Sequence, residues 1–277
     1  MTDRRLLPAN GRVAARHLQG QVQATTFTDG TPGRIGVPLS DLWRVPGKAR
    51  DRQLLLGDAV TVYETRDGYS FVQAAKDGYV GYVAAGDVGP VNPQPTHWVA
   101  VPGAQAYPAP DMKVPQALDL TFGAAVTVVL HQPKFFETHD GLFIPKPHLW
   151  PMSKRFSDPV TAAQLFFGAP YLWGGNSPRG IDCSGLVQAA LLAAGRDCPA
   201  DSDQQEVLGA PLPDGAPMQR GDLLFWRGHV AMAVDGETLI HANAHHMAVA
   251  YEPLDKAVRR IEAQGDGPVT HRRRLGG

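Results

Sequence analysis

The sequence predicts an α+β protein in which two small β modules precede a mixed region, where a helix packs on an antiparallel sheet. Three observations carry this. Short alternating runs broken by Asp-Gly pairs fill much of the first half, as in LLLGDAVTVYE, TRDGYSFVQAA and KDGYVGYVAAGDV. In the second half, Leu186, Val187, Ala190, Leu191 and Ala194 recur at helical spacing, and Gly195 stands where a helix C-terminal glycine belongs. Further on, Val230, Met232 and Val234 alternate with Ala231 and Ala233. A turn at Asp235-Gly236 then leads to a second short strand with Ile240, His241 and Ala242.

Taken in order, residues 1–36 read as an N-terminal extension, with a helix expected near Val13 to Leu18. The first module spans 37–90. Asp67-Gly68 and Asp77-Gly78 are its hairpin signals, and Tyr69, Phe71 and Val72 have strand character. The proline-rich joint from Gly89 to Pro95 reads as a stiff linker. A second, weaker module follows over 91–152, where the Asp140-Gly141 turn precedes Leu142 and Phe143. The third region spans 153–277, its entry marked by the stretch from Trp150-Pro151 to Pro159.

Composition limits the function classes. With 277 residues, 43% hydrophobic and 19% charged, the chain can bury a sizeable core and divide into two or three domains. A formal net charge of -1 leaves no electrostatic footprint for nucleic acid, and no basic run suggests a membrane surface. Apolar runs such as Ala124 to Leu130 are too short to span a bilayer. The first residues carry arginines but no apolar core of a signal peptide, so the cytoplasm is the expected compartment. Cys183 and Cys198 do not form a disulfide framework. No metal-ligand spacing stands out, the His245-His246 doublet reads as loop surface, and no cofactor is expected. The oligomeric state is left open.

Chemistry concentrates at Cys183. The cysteine opens the predicted helix behind the loop YLWGGNSPRGID. A thiol there faces unpaired backbone N–H groups and the positive end of the helix dipole, and both favour thiolate. The competing reading is a buried cysteine acting as a small hydrophobe. His229 opens the downstream strand and can serve as base for a nucleophile, while His241 on the next strand can fix its tautomer and orientation. Strand geometry constrains this set. A two-residue turn at Asp235-Gly236 would put the two histidines on opposite faces. A three-residue loop, Asp235 to Glu237, sets His241 opposite Ala231 and diagonal to His229, so the longer loop is expected. Ala231 and Ala233 would then leave room for the cysteine helix on that face.

These segments resemble the NlpC family of bacterial cell-wall cysteine peptidases, which have a papain-like core. The matching residues are Tyr171, Trp173-Gly174-Gly175, Asp182-Cys183-Ser184-Gly185, Gly228-His229-Val230 and His241, within roughly Arg155 to Arg260. The resemblance implies Cys183 as nucleophile, His229 as general base and His241 as orienting residue. The backbone N–H of Cys183 and the Tyr171 hydroxyl are the expected oxyanion donors, and Asp182 and Ser184 are expected to line the substrate cleft. One departure is Ala200, where the family commonly carries an arginine near the cleft; Arg179 or Arg196 are the candidates to replace it.

The β modules resemble bacterial SH3-like barrels, which suggest wall targeting. Relatives with two such modules before an NlpC-type domain suggest a narrower role, in which the first barrel holds the free amine of a stem peptide. The corresponding residues are Asp58 and Tyr79, with Asp182 as a second acidic contact. The alternative is that Asp58 caps a turn and Tyr79 packs in the barrel. The expected reaction is hydrolysis of the γ-D-glutamyl bond in a stem peptide, L-Ala-γ-D-Glu-diamino acid, as a step in cytoplasmic muropeptide recycling. Two other readings stand beside it: a lytic enzyme acting on intact wall, and a non-catalytic wall-binding protein.

Overall fold

In the computed structural model, which describes residues 3–213 and 215–276, the alternating runs of the first module become a seven-stranded antiparallel sheet. Its order is Lys48–Leu55, Leu39–Val45, Val80–Ala84, Tyr69–Ala74, Ala59–Arg66, Thr31–Ile35 and Val88–Gly89. Ile35, Leu42, Leu54, Val60, Val72 and Val83 fill its interior, none more than 3% exposed. Burying each such side chain contributes about 1.5–3 kcal/mol. Asp67 and Gly68 hold φ of 51° and 79° between the paired Arg66 and Tyr69, a two-residue turn whose twist suits a hairpin. Asp77-Gly78 behaves differently. The Gly78 N–H donates to Ala74 O at 2.9 Å, so this pair closes a longer loop before Val80.

The N-terminal segment departs from its expected form. Where a helix was expected, Val13–Ala15 is a strand lying parallel to Thr26–Thr28, and Arg16–Leu18 makes a single 3₁₀ turn. Val13 packs with Phe71 and Val80 of the barrel, so burial against the sheet overrides local helix preference. Thr31–Ile35 pairs with Ala59–Arg66, so the sheet already begins inside the segment read as an extension.

The proline-rich joint is not a free spacer. Arg34 donates from Nε to Val91 O at 3.0 Å and from Nη1 to Gly57 O at 2.8 Å, and it also bonds the Gln94 side chain. Beyond the joint, three small sheets surround a core that includes Val99, Ala104, Leu120, Ala124, Ile144 and Leu149. Leu56 of the first module packs on this core, and its carbonyl accepts the Ala125 N–H at 2.8 Å.

Residues 155–277 form a separate compact unit. Its six-stranded antiparallel sheet runs Ala210–Pro211, His271–Arg274, Leu223–Trp226, His229–Ala233, Thr238–Asn243, Ala248–Pro253. Four helices accompany it among the described residues: α1 (Pro159–Gln164), α2 (Cys183–Ala193), α3 (Ser202–Gln205) and α4 (Leu254–Ala263). Gly195, at φ +75°, ends α2 as expected. Its N–H donates to Leu192 O and the Arg196 N–H to Leu191 O, the paired bonds of a left-handed helix stop. The face with Ala231 and Ala233 packs against Ala257 and Ile261 of α4. Those small residues therefore accommodate α4, not the cysteine helix as expected from sequence.

Candidate active site

The start of α2 is built by Asp182. As the N-cap its carboxylate accepts the Gly185 N–H at 2.7 Å, and its other oxygen accepts the Gly174 N–H at 2.8 Å. One residue thus ties the Trp173-Gly174-Gly175 loop to the first helical turn. Gly185 is required by this close approach, since a Cβ there would stand 2.6 Å from Gly175 O. The Ser184 hydroxyl also donates to Asp182, at 3.1 Å. Asp182 and Ser184, the two residues expected to line the cleft, both take part in holding the helix start.

Cys183 is 7% exposed at that start. Burial, and then the negative charge of Asp182, push its thiol up to about 12, although N–H groups of Val230, Ser184 and Cys183 face the sulfur and favour thiolate. The backbone N–H groups act toward thiolate as expected, and burial outweighs them. Backbone dipoles at a helix end supply about 0.3–1 kcal/mol, which does not offset removal of the anion from water. The Tyr171 hydroxyl is also raised well above its ordinary range, by burial first and then by Cys183 and Asp182. It remains a hydrogen-bond donor beside the sulfur at neutral pH.

The histidines meet as the longer loop requires. Met232 pairs with Ile240 and Ala233 with Leu239, and the Val234 N–H donates to Thr238 O, leaving Asp235 to Glu237 as the loop. His229 Nε2 lies 2.9 Å from His241 Nδ1. Burial pushes the His229 imidazole down to about 3; His241 and Arg260 act in the same direction, Glu252 against them. Both shifts favour a neutral thiol and a neutral imidazole.

Two residues beyond these complete the cluster. His241 Nε2 lies 3.0 Å from Glu252 Oε2, and Arg260 donates to both Glu252 oxygens at 2.9 and 2.7 Å. Burial would raise the Glu252 carboxyl, but hydrogen bonds from Arg260 and His241 hold it well below the usual carboxylate range. Sequence reasoning missed both. The signal was the strand Ala248–Pro253, where His241 pairs with Ala250, so Glu252 falls on the His241 face.

Residues 168–261 match the model of the NlpC/P60 family, and residues 42–88 match that of the bacterial dipeptidyl-peptidase SH3 domain. This chain carries an NlpC/P60 cysteine-peptidase domain. Dipeptidyl-peptidase 6 of Lysinibacillus sphaericus is 39% identical over 99 residues, covering 35% of this chain and 36% of that protein. Gamma-D-glutamyl-L-lysine dipeptidyl-peptidase of Bacillus cereus is 26% identical over 246 residues, covering 77% of this chain and 73% of its own length. The chain thus spans about a third of the first relative and about three-quarters of the second. The crystal structure of an NlpC/P60 family protein from Bacillus cereus superposes with a TM-score of 0.73 at 20% identity, over 88% of this chain and 99% of that one, a likeness of fold.

Outside the NlpC/P60 domain, the residues expected to hold a substrate amine are engaged locally. Asp58 accepts the Leu55 N–H at 2.9 Å and pairs with Lys76 Nζ at 2.6 Å, so its charge is already balanced in the barrel turn. Tyr79 is 2% exposed, with the Arg52 guanidinium 5.8 Å from its ring centre. Asp58 thus caps a turn, and Tyr79 is buried in the barrel. Within the NlpC/P60 domain, Ala200 is buried, whereas Arg179 is exposed. Among the described residues no group of His, Cys, Asp and Glu is arranged to hold a metal, and no helix is long and apolar enough to cross a membrane.

Proposed function

We propose that this protein is a cysteine peptidase that hydrolyses the γ-D-glutamyl–diamino acid bond of peptidoglycan stem peptides. The observation that carries the chemistry is the 2.9 Å contact of His229 with His241, on the strand whose Val230 N–H faces the Cys183 sulfur. The bond chosen follows from the relative named gamma-D-glutamyl-L-lysine dipeptidyl-peptidase, aligned over 77% of this chain.

Because thiol and imidazole rest neutral, deprotonation accompanies attack. The Cys183 sulfur adds to the γ-carbonyl carbon of D-glutamate while His229 takes the thiol proton. The oxyanion accepts hydrogen bonds from the Cys183 N–H and the Tyr171 hydroxyl; removing one such donor costs on the order of a hundredfold or more in turnover. Collapse to the thioester expels the diamino acid amine, which takes the proton from His229. Water, activated by the same imidazole, then releases the γ-glutamyl product and restores the thiol.

A dipeptidyl-peptidase acts on a free amino terminus, which supports a role on released muropeptides and hence in their recycling. The engagement of Asp58 by Lys76 favours a second reading, an endopeptidase indifferent to that amine and active on intact wall. Mass spectrometry of L-Ala-γ-D-Glu-diaminopimelate and its N-acetylated form, with Cys183→Ala as blank, separates them. Cleavage of the free-amine peptide alone supports recycling, and equal cleavage of both supports the wall-lytic reading. Cleavage of neither removes the proposed substrate.

A further inference from the structure

The hydrogen-bonded chain does not end at His241. Its Nε2 faces Glu252 Oε2 at 3.0 Å, and Arg260 occupies both carboxylate oxygens from α4. His241 is fully buried and Glu252 is 7% exposed, so bulk water does not compete for these bonds. An ionised carboxylate only accepts, so the hydrogen in the His241–Glu252 bond sits on Nε2. With a single N–H on the ring, and that one spent on Glu252, His241 Nδ1 is left as an acceptor. That atom lies 2.9 Å from His229 Nε2, so His229 is the donor there and keeps its free lone pair on Nδ1.

We propose that Glu252, clamped by Arg260, is a positioning residue that sets the tautomers of both histidines and selects His229 Nδ1 as the nitrogen receiving the Cys183 proton. The opposite His241 tautomer would aim an N–H at His229 Nε2. That would force the His229 hydrogen onto Nδ1 and leave no base for the thiol. Arg260 keeps the carboxylate anionic and orients both of its oxygens. The inference rests on the reading of Cys183, His229 and His241 as the reacting set, but not on the identity of the substrate.

Two measurements test it. Nitrogen-15 NMR of histidine-labelled enzyme reports the His241 tautomer directly, without any variant. A hydrogen on Nε2 and a bare Nδ1 are expected; a protonated Nδ1, in the other tautomer or in an imidazolium, overturns the proposal. The second measurement compares Glu252→Gln in the parent enzyme and in His241→Asn, whose amide oxygen accepts from His229 with no tautomer to set. The rate of Cys183 alkylation by iodoacetamide, located by peptide mass spectrometry, is followed together with kcat and KM on the stem peptide.

In the parent background, Glu252→Gln is expected to lower kcat and alkylation by on the order of tenfold to a hundredfold, the usual effect of removing such an orienting partner, with KM unchanged. In the His241→Asn background it is expected to cause no further loss. Equal losses in both backgrounds would mean that Glu252 only supports the fold, and no loss in either would remove any role; both outcomes overturn the proposal. An enzyme that is alkylated at Cys183 yet leaves the stem peptide intact refutes the substrate alone, while alkylation and NMR still decide on Glu252.

Discussion

Gln205 donates its side-chain amide to the carbonyl oxygen of Ser184 at 3.0 Å, joining α3 to the residue that follows the proposed nucleophile. The same nitrogen reaches Pro199 O at 3.0 Å, and the side chain is fully buried. This tie holds the first turn of α2 at Ser184, next to the sulfur that the Val230 N–H faces. Gln205→Leu places an apolar side chain of similar size there and removes these donations. It is expected to lower stability by about 1–3 kcal/mol in urea titration and to reduce kcat more than it changes KM. A variant that loses stability with kcat intact would show that the tie supports the fold without positioning the thiol.

Asp182 has two opposed effects, and Asp182→Asn separates them. The amide oxygen still caps Gly185, but the amide nitrogen replaces an acceptor of the Gly174 N–H. That loss is expected to destabilise the domain by about 1–3 kcal/mol. The variant also removes the negative charge that, after burial, holds the Cys183 thiol up at about 12. The pH midpoint of Cys183 alkylation is therefore expected to fall although the enzyme is less stable. An unmoved midpoint would assign the shift to burial alone.

Residue pattern made much of this architecture legible. The Asp67-Gly68 turn and the apolar stripe and terminal glycine of α2 follow from local rules of period and turn geometry, whereas the longer loop after Val234 was legible only because His229 and His241 had to share a face. What could not be read locally was set by tertiary contacts. Val13–Ala15 became a strand because the barrel buries it, and Ala231 and Ala233 face α4 because amphipathic pattern does not say which helix covers a sheet face. Glu252 and Arg260 join the histidines only through the pairing of Thr238–Asn243 with Ala248–Pro253 and the return of α4. The neutral state of the thiol was hidden for the same reason, since the helix dipole is visible in sequence and the depth of burial is not.

Acid lability follows from the same cluster. His229 in the folded protein lies at about 3, against 6.5 for the free group, so the unfolded chain binds the extra proton first as pH falls. A depressed histidine therefore contributes stability that is complete above pH 6.5 and is lost progressively towards pH 3. Glu252, also depressed, adds a loss that begins near its ordinary 4.5 and continues below it. The melting temperature is expected to drop between pH 7 and pH 4, with a slope of at most about 1.4 kcal/mol per pH unit for each proton involved. His229→Gln should flatten the part above pH 4.5 and leave below it only the loss that Glu252 contributes. A parallel curve for the variant would assign the lability to the other histidines that burial lowers, His97, His148 and His246.

The pairing of Asp58 with Lys76 makes a separate prediction about substrate selection. Asp58→Asn removes the charge facing Lys76 and weakens the turn that closes through the Leu55 N–H. The expected result is a loss of about 1 kcal/mol in stability with the ratio of free-amine to N-acetylated peptide cleavage unchanged. Lys76→Met leaves the carboxylate unpaired in a half-buried turn and is expected to destabilise the barrel at least as much, again without altering that ratio. If Asp58→Asn instead abolished a preference for the free amine, the carboxylate would have to exchange Lys76 for the substrate ammonium. Lys76→Met would then strengthen the preference by removing the competing cation, so the two variants together decide whether the pair is structural or a gate for the amine.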